Sequence, residues 1–203
     1  MNAAVLRRFI IIMAIALVGM MAFQWIYDSI TSREPGDYAT EVGNNRLSEG
    51  KFDEALENFN TALDEQPDHR GALMGRALVF IQTERYDEAM SELDRLIAYL
   101  TRTTKPDDAT GRGQLAAAHA NRGIIYDRLG QYEKALDEYV AALNTDSEAI
   151  SGPDIFQEVL YSQGKTSTVR KRAQYIYEQL QLPEDKRVMR IPEIDAQQRM
   201  YKP

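Results

Sequence analysis

Residues 47–63, LSEGKFDEALENFNTAL, return in altered form at 81–97 (IQTERYDEAMSELDRLI) and again at 127–143 (DRLGQYEKALDEYVAAL). Three columns hold their register through all copies: Phe52, Tyr86 and Tyr132; Ala55, Ala89 and Ala135; Leu63, Ile97 and Leu143. The first two copies lie 34 residues apart, and the third follows after 46, the same period with a 12-residue insertion. A repeat of this length is one supersecondary unit that cannot bury its apolar face alone, so the units must stack. Gly43, Ala77 and Gly123 recur nine residues before the aromatic column. There a small side chain lets two helices approach closely.

These columns resemble the tetratricopeptide repeat, TPR, a 34-residue helix–turn–helix. The match spans 36–69, 70–103 and 116–149, with 104–115 inserted, and Pro67 closes the first copy. The family's early tryptophan is replaced by Ala39, Leu73 and His119. The resemblance implies an all-α solenoid and a protein-binding scaffold. Helix pairs are expected at 37–49 and 52–65, then at 70–83 and 86–101. The Thr, Asp, Gly and Pro content of 103–113 predicts an exposed loop, with the third pair opening near Gln114. Residues 150–182 read as a degenerate capping pair, Pro153–Gln163 and Thr168–Leu182, because a terminal repeat must present a more polar face.

Ahead of the repeats, residues 9–27 (FIIIMAIALVGMMAFQWIY) form an apolar run. At 1.5 Å per residue they extend roughly 28 Å, about the hydrocarbon thickness of a bilayer. The run is longer than a signal-peptide core, and Met20-Met21-Ala22 is a poor cleavage site, so an uncleaved transmembrane helix is expected. Trp25 and Tyr27 suit the far interface. Arg7 and Arg8 in the short segment 1–8 place it in the cytoplasm. The repeats then follow a linker at 28–35 on the opposite side, the periplasm if the source is bacterial. Ala16, Gly19 and Ala22 offer a small-residue face on this helix.

The resemblance also implies an inner surface lined by the first helix of each pair. In that register Asp37, Thr40, Glu41, Asn44, Met74, Leu78, Ile81, Asn121, Ile124, Asp127 and Arg128 face a partner. Some TPR domains grip a chaperone's carboxylate tail with a clamp of Lys, Asn and Arg. Here only Asn44 matches, and Thr40, Gly75, Ala117 and Asn121 fill the other clamp positions. The expected ligand is therefore an apolar peptide or helix and not an acidic tail.

The chemistry of an enzyme is not legible. His69 and His119 have no partner at metal-ligand spacing, there is no cysteine, and no acid–base–nucleophile set stands together. No cofactor, metal or small-molecule substrate is expected. A formal charge of −7 argues against nucleic acid. Charge is uneven: the first repeat carries nine acids against Arg46 and Lys51, while 165–203 carries nine bases against five acids. Residues 183–203 contain three prolines and weak periodicity, which reads as an extended tail. Its apolar residues among charges suggest docking, through Met189, Arg190, Ile191, Met200 and Tyr201, on the stack or on a partner; the alternative is a disordered end. The expected function is a membrane-anchored scaffold for subunits of a membrane or envelope complex. The alternative is a holdase-like chaperone or accessory factor at a secretion channel.

Overall fold

The computed structural model describes residues 3–31, 33–147, 168–191 and 200. Among them are eight α-helices and no strand. Helix α1 is Ala3–Thr31. Three hairpins follow: α2 (Asp37–Ser48) with α3 (Phe52–Glu65), α4 (Arg70–Gln82) with α5 (Tyr86–Thr103), and α6 (Ala109–Arg128) with α7 (Tyr132–Thr145). Among the described residues a further helix, α8 (Val169–Leu180), packs on α7. The second helix of each hairpin packs on the first helix of the next, and α2 also touches α4. Pro153–Gln163, the expected first helix of the capping pair, lies outside the described residues.

The turn inside each hairpin is built the same way. The residue that ends it is left-handed, with φ of 73° at Gly50, 59° at Glu84 and 73° at Gly130. Its own N–H returns to a carbonyl three residues back (Leu47, Ile81, Asp127), and the next N–H returns five back (Arg46, Phe80, Tyr126). Paired bonds of this kind satisfy carbonyls that a helix end leaves without partners. Glycine fits two of these positions without strain. Glu84 holds the third against the steric cost of a Cβ in left-handed backbone.

The small-residue column lies where helices cross. A Cβ on Gly43 would stand 2.7 Å from Phe59, and one on Gly123 would stand 2.6 Å from Tyr139. Phe59, Leu93 and Tyr139, one per repeat, are buried beneath these crossings with Ala55, Ala89 and Ala135. The resulting core divides in two. One cluster fills the first two repeats and reaches Ala117, Ala118 and Ile125 of α6; the other joins α6, α7 and α8.

Two boundaries differ from expectation. The segment 103–113 is not an exposed loop ending near Gln114: α5 continues to Thr103 and α6 begins at Ala109. The Asp108 side chain accepts a hydrogen bond from the Gly111 N–H at 2.8 Å, an N-cap that starts the helix early. Most of the insertion thus lengthens helices. The linker is shorter than 28–35 as well, because α1 carries on to Thr31.

A recurring arginine ties the hairpins together. Arg76 of α4 donates to Asn60 on the preceding repeat at 2.7 Å and to Glu92 on its own at 2.6 Å. Arg122 of α6 repeats the arrangement one unit on, with Asp94 and Glu138, both at 2.6 Å. Glu138 also bonds His119 Nδ1 at 2.8 Å. Burial alone would raise the Glu138 carboxyl, but the bonds from His119 and Arg122 outweigh it and hold the group below its ordinary 4.5. A carboxylate lowered in this way stabilises the fold above its unfolded pKa, and the contribution fades as pH falls through the folded value. Glu138→Gln is therefore expected to cost about 2 kcal/mol near neutral pH. The gap to wild type should begin to narrow as pH falls below about 4.5 and should be smallest below the folded value, where both chains carry a neutral group. Urea melts across that range test this, and a gap unchanged with pH would show that the charge contributes nothing.

Candidate partner-binding face

The first helices of the hairpins carry the predicted inner residues, but most of these side chains are already engaged. Thr40 is buried and its hydroxyl lies 3.2 Å from His69 Nδ1. His69 caps α4 by accepting from the Ala72 N–H and reaches Asp37 through its other ring nitrogen at 3.1 Å. That bond from His69 is the main reason the Asp37 carboxyl is lowered. His69 is thus a structural residue that joins the first two repeats.

Met74, Leu78, Ile81, Asn121 and Ile124 are buried, not presented to a partner. Met74, Leu78 and Ile81 belong to the first core cluster and Ile124 to the second, and two bonds run from α6 to α4. Asn121 Nδ2 reaches Met74 Sδ at 3.4 Å, and the Arg128 guanidinium donates to the Ile81 carbonyl at 3.3 Å. Side chains expected to line an open groove are therefore packed between α4 and α6 or into the core. Asn44 and Arg128 are half-buried and keep an accessible edge, while Glu41 is exposed.

Asp127 differs most from expectation. Only 4% exposed, it receives two bonds of 2.7 Å from Arg172 of α8, one from Nε and one from Nη2. The Tyr139 hydroxyl donates to the same carboxylate at 3.2 Å. A paired fork of this kind is strong and directional. It locks the cap helix onto the third repeat and removes Asp127 from any groove.

Arg172 also donates to the Met189 carbonyl at 3.1 Å, which brings in the segment after α8. That segment makes one 3₁₀ turn at Glu184–Lys186 and then runs extended from Arg187. Arg187 closes α8 by donating to the Leu182 and Leu180 carbonyls at 2.9 and 3.2 Å. The Val188 N–H donates to Gln179 Oε1 at 2.8 Å, and the Tyr175 hydroxyl donates to the Val188 carbonyl. Met189 packs against the second core cluster. Arg190 donates to the Arg128 carbonyl, at the end of α6, at 2.7 Å. Ile191 is half-buried, and Met200 packs against the first cluster. Of the predicted tail residues only Tyr201 lies outside the described residues.

The residues that hold this segment, Arg172, Tyr175 and Gln179, were not singled out by the sequence. Arg172 stood there as one base in the run Arg170-Lys171-Arg172. Its partner Asp127 lies 45 residues away, beyond any single repeat.

Stacked helical hairpins with small-residue crossings define a helical-repeat domain, a class built around contact surfaces. Two family models described as tetratricopeptide repeat match residues 42–109 and 116–149, together about half of the chain. The chain belongs to the tetratricopeptide repeat family. It is 30% identical over 100 residues, 49% of its length, to the Hsp70-Hsp90 organizing protein of Triticum aestivum, of which it spans only 16%. Among solved structures, the first TPR of Spaghetti (RPAP3), bound to the HSP90 peptide SRMEEVD, superimposes with a TM-score of 0.52. That match covers 73% of this chain and 95% of the other at 19% identity, a likeness of fold alone. TPR repeats imply protein–protein interaction.

Proposed function

We propose that this protein is a single-pass membrane scaffold whose TPR domain recruits or stabilises subunits of a membrane or envelope complex. The observation that carries the reading is α1. Leu6–Tyr27 has a mean hydropathy of 2.4 and none of its most apolar window is buried. A helix that serves a protein core turns its apolar side chains inward. Here Phe9, Ile12, Ile15, Val18, Met20 and Phe23 are each 60% exposed or more, and a bilayer is the surrounding that suits them. In this reading Arg7 and Arg8 stay in the cytoplasm and the repeats lie across the membrane.

A second reading, a chaperone or accessory factor near a secretion channel, draws on the relatives, whose names tie them to Hsp70 and HSP90. The peptide held by the Spaghetti domain, SRMEEVD, ends in acids. Thr40, Gly75, Ala117 and Asn121 bring no base to the clamp positions of this chain. Without a base there to meet carboxylates, a client segment of apolar character is favoured over an acidic tail.

Copurification from membranes in mild detergent separates the two. A scaffold brings down one stoichiometric set of proteins, and a chaperone brings down a heterogeneous collection. Extraction of the protein by alkaline carbonate, or a mature N-terminus near Phe23, would count against the anchor. A reporter fused after Pro203 that is active only in the cytoplasm would reverse the orientation.

A further inference from the structure

The segment Arg187–Ile191 is held in the manner of a bound peptide, not of a core element. Both hydrogen-bonding groups of Val188 and the carbonyl of Met189 are taken by side chains of α8: Gln179, Tyr175 and Arg172. Main-chain recognition of an extended strand, with pockets for alternate side chains, is a general way to bind a peptide. Val188 itself is 57% exposed, so its place is set by its backbone and not by burial of its side chain. Met189 supplies the apolar anchor. Arg190 sets a positive charge on the Arg128 carbonyl at the α6 C-terminus, where the helix dipole is negative.

We propose that α8 and the end of α6 form a binding site for an extended apolar–basic segment. Its resident ligand is this chain's own residues 187–191, which a partner segment of the same chemistry must displace. The proposal rests on the protein-binding scaffold reading and adds both the ligand class and a competitor built into the chain. A tethered ligand acts at an effective concentration on the order of a millimolar. With an intrinsic Kd of about 10 μM for the tail itself, an external segment would be weakened about 100-fold while the tail is seated. An acidic segment would meet the carbonyl end of α6 and be disfavoured.

The test keeps the full chain. Val188→Pro with Met189→Asp removes the N–H donor and the apolar anchor and frees the site. A fluorescent peptide with the sequence of residues 184–203 is then titrated by anisotropy. The freed chain should bind at least about 10-fold more tightly than wild type. Adding Tyr175→Phe and Gln179→Ala to the freed chain should abolish that gain. Equal binding by wild-type and freed chains, or none by either, overturns the proposal. Should the freed chain not fold, amide exchange in the wild type decides. Residues 187–191 exchanging faster than α8 are a ligand that leaves and returns, whereas protection equal to that of α8 marks them as core and sinks the idea. A failed peptide titration beside an intact stoichiometric pull-down removes only this proposal and leaves the scaffold standing.

Discussion

Arg172→Met is expected to destabilise the fold by about 3–5 kcal/mol, because it strips the guanidinium from a carboxylate held in the interior. Asp127 and Arg172 are each 4% exposed and joined by two short bonds. The desolvation of both ions is offset only while they stay paired. Removing the second partner as well, in Asp127→Leu with Arg172→Met, should recover more than half of the loss, since an apolar pair carries no buried charge. Tyr139 would lose its acceptor in the double variant, so recovery stays incomplete. Denaturant melts of the four chains in this cycle provide the coupling energy. An Arg172→Met variant within about 1 kcal/mol of wild type would show that the pair is not the latch between cap and stack.

The second large effect lies at Phe59. This ring is fully buried between Gly43 on α2 and Gly75 on α4, and a Cβ at Gly75 would come within 3.0 Å of it. A core ring can escape a clash by sliding, but here the other side is closed by Gly43, whose own Cβ would stand 2.7 Å away. Gly75→Leu is therefore expected to cost about 3 kcal/mol or more, at the upper end of overpacking. Gly123→Leu, against Tyr139 and the Ala135 carbonyl, should cost about 1–3 kcal/mol. Shrinking the ring gives a control. Gly75→Ala should be less harmful in a Phe59→Leu background than in wild type, as seen by thermal melting. If Gly75→Leu melts with wild type, the close crossing is not there.

The hairpins could be read from the sequence because their signals are local and repeat. Gly43 and Gly123, Phe52, Tyr86 and Tyr132, and the turn glycines Gly50 and Gly130 stand at fixed offsets. One local signal escaped: the start of α6 depends on Asp108 capping through Gly111, in a stretch whose composition favours a loop. The rest of what escaped was set by distant contacts. The register put Met74, Ile81 and Asn121 on first helices, yet it cannot say whether the adjacent first helix will cover them. The bond from Asn121 to Met74 spans 47 residues. The cap latch has the same character, with Arg172 reaching back past the whole of α7 to Asp127. The apolar residues of the tail pointed to docking, but which side chains of α8 would meet residues 187–191 was not legible.

The arginine ties have a consequence for how the domain comes apart. In a linear array, total stability is the sum of what each repeat supplies alone and what each junction adds. Arg76 and Arg122 each bond to groups on both sides of a junction, so opening a junction costs Arg76 its bond to Asn60 or Arg122 its ion pair with Asp94, while the pairs with Glu92 and Glu138 stay within their own hairpins. Each junction therefore carries a polar contribution beyond apolar packing. The array is expected to melt more cooperatively than its apolar contacts alone would make it.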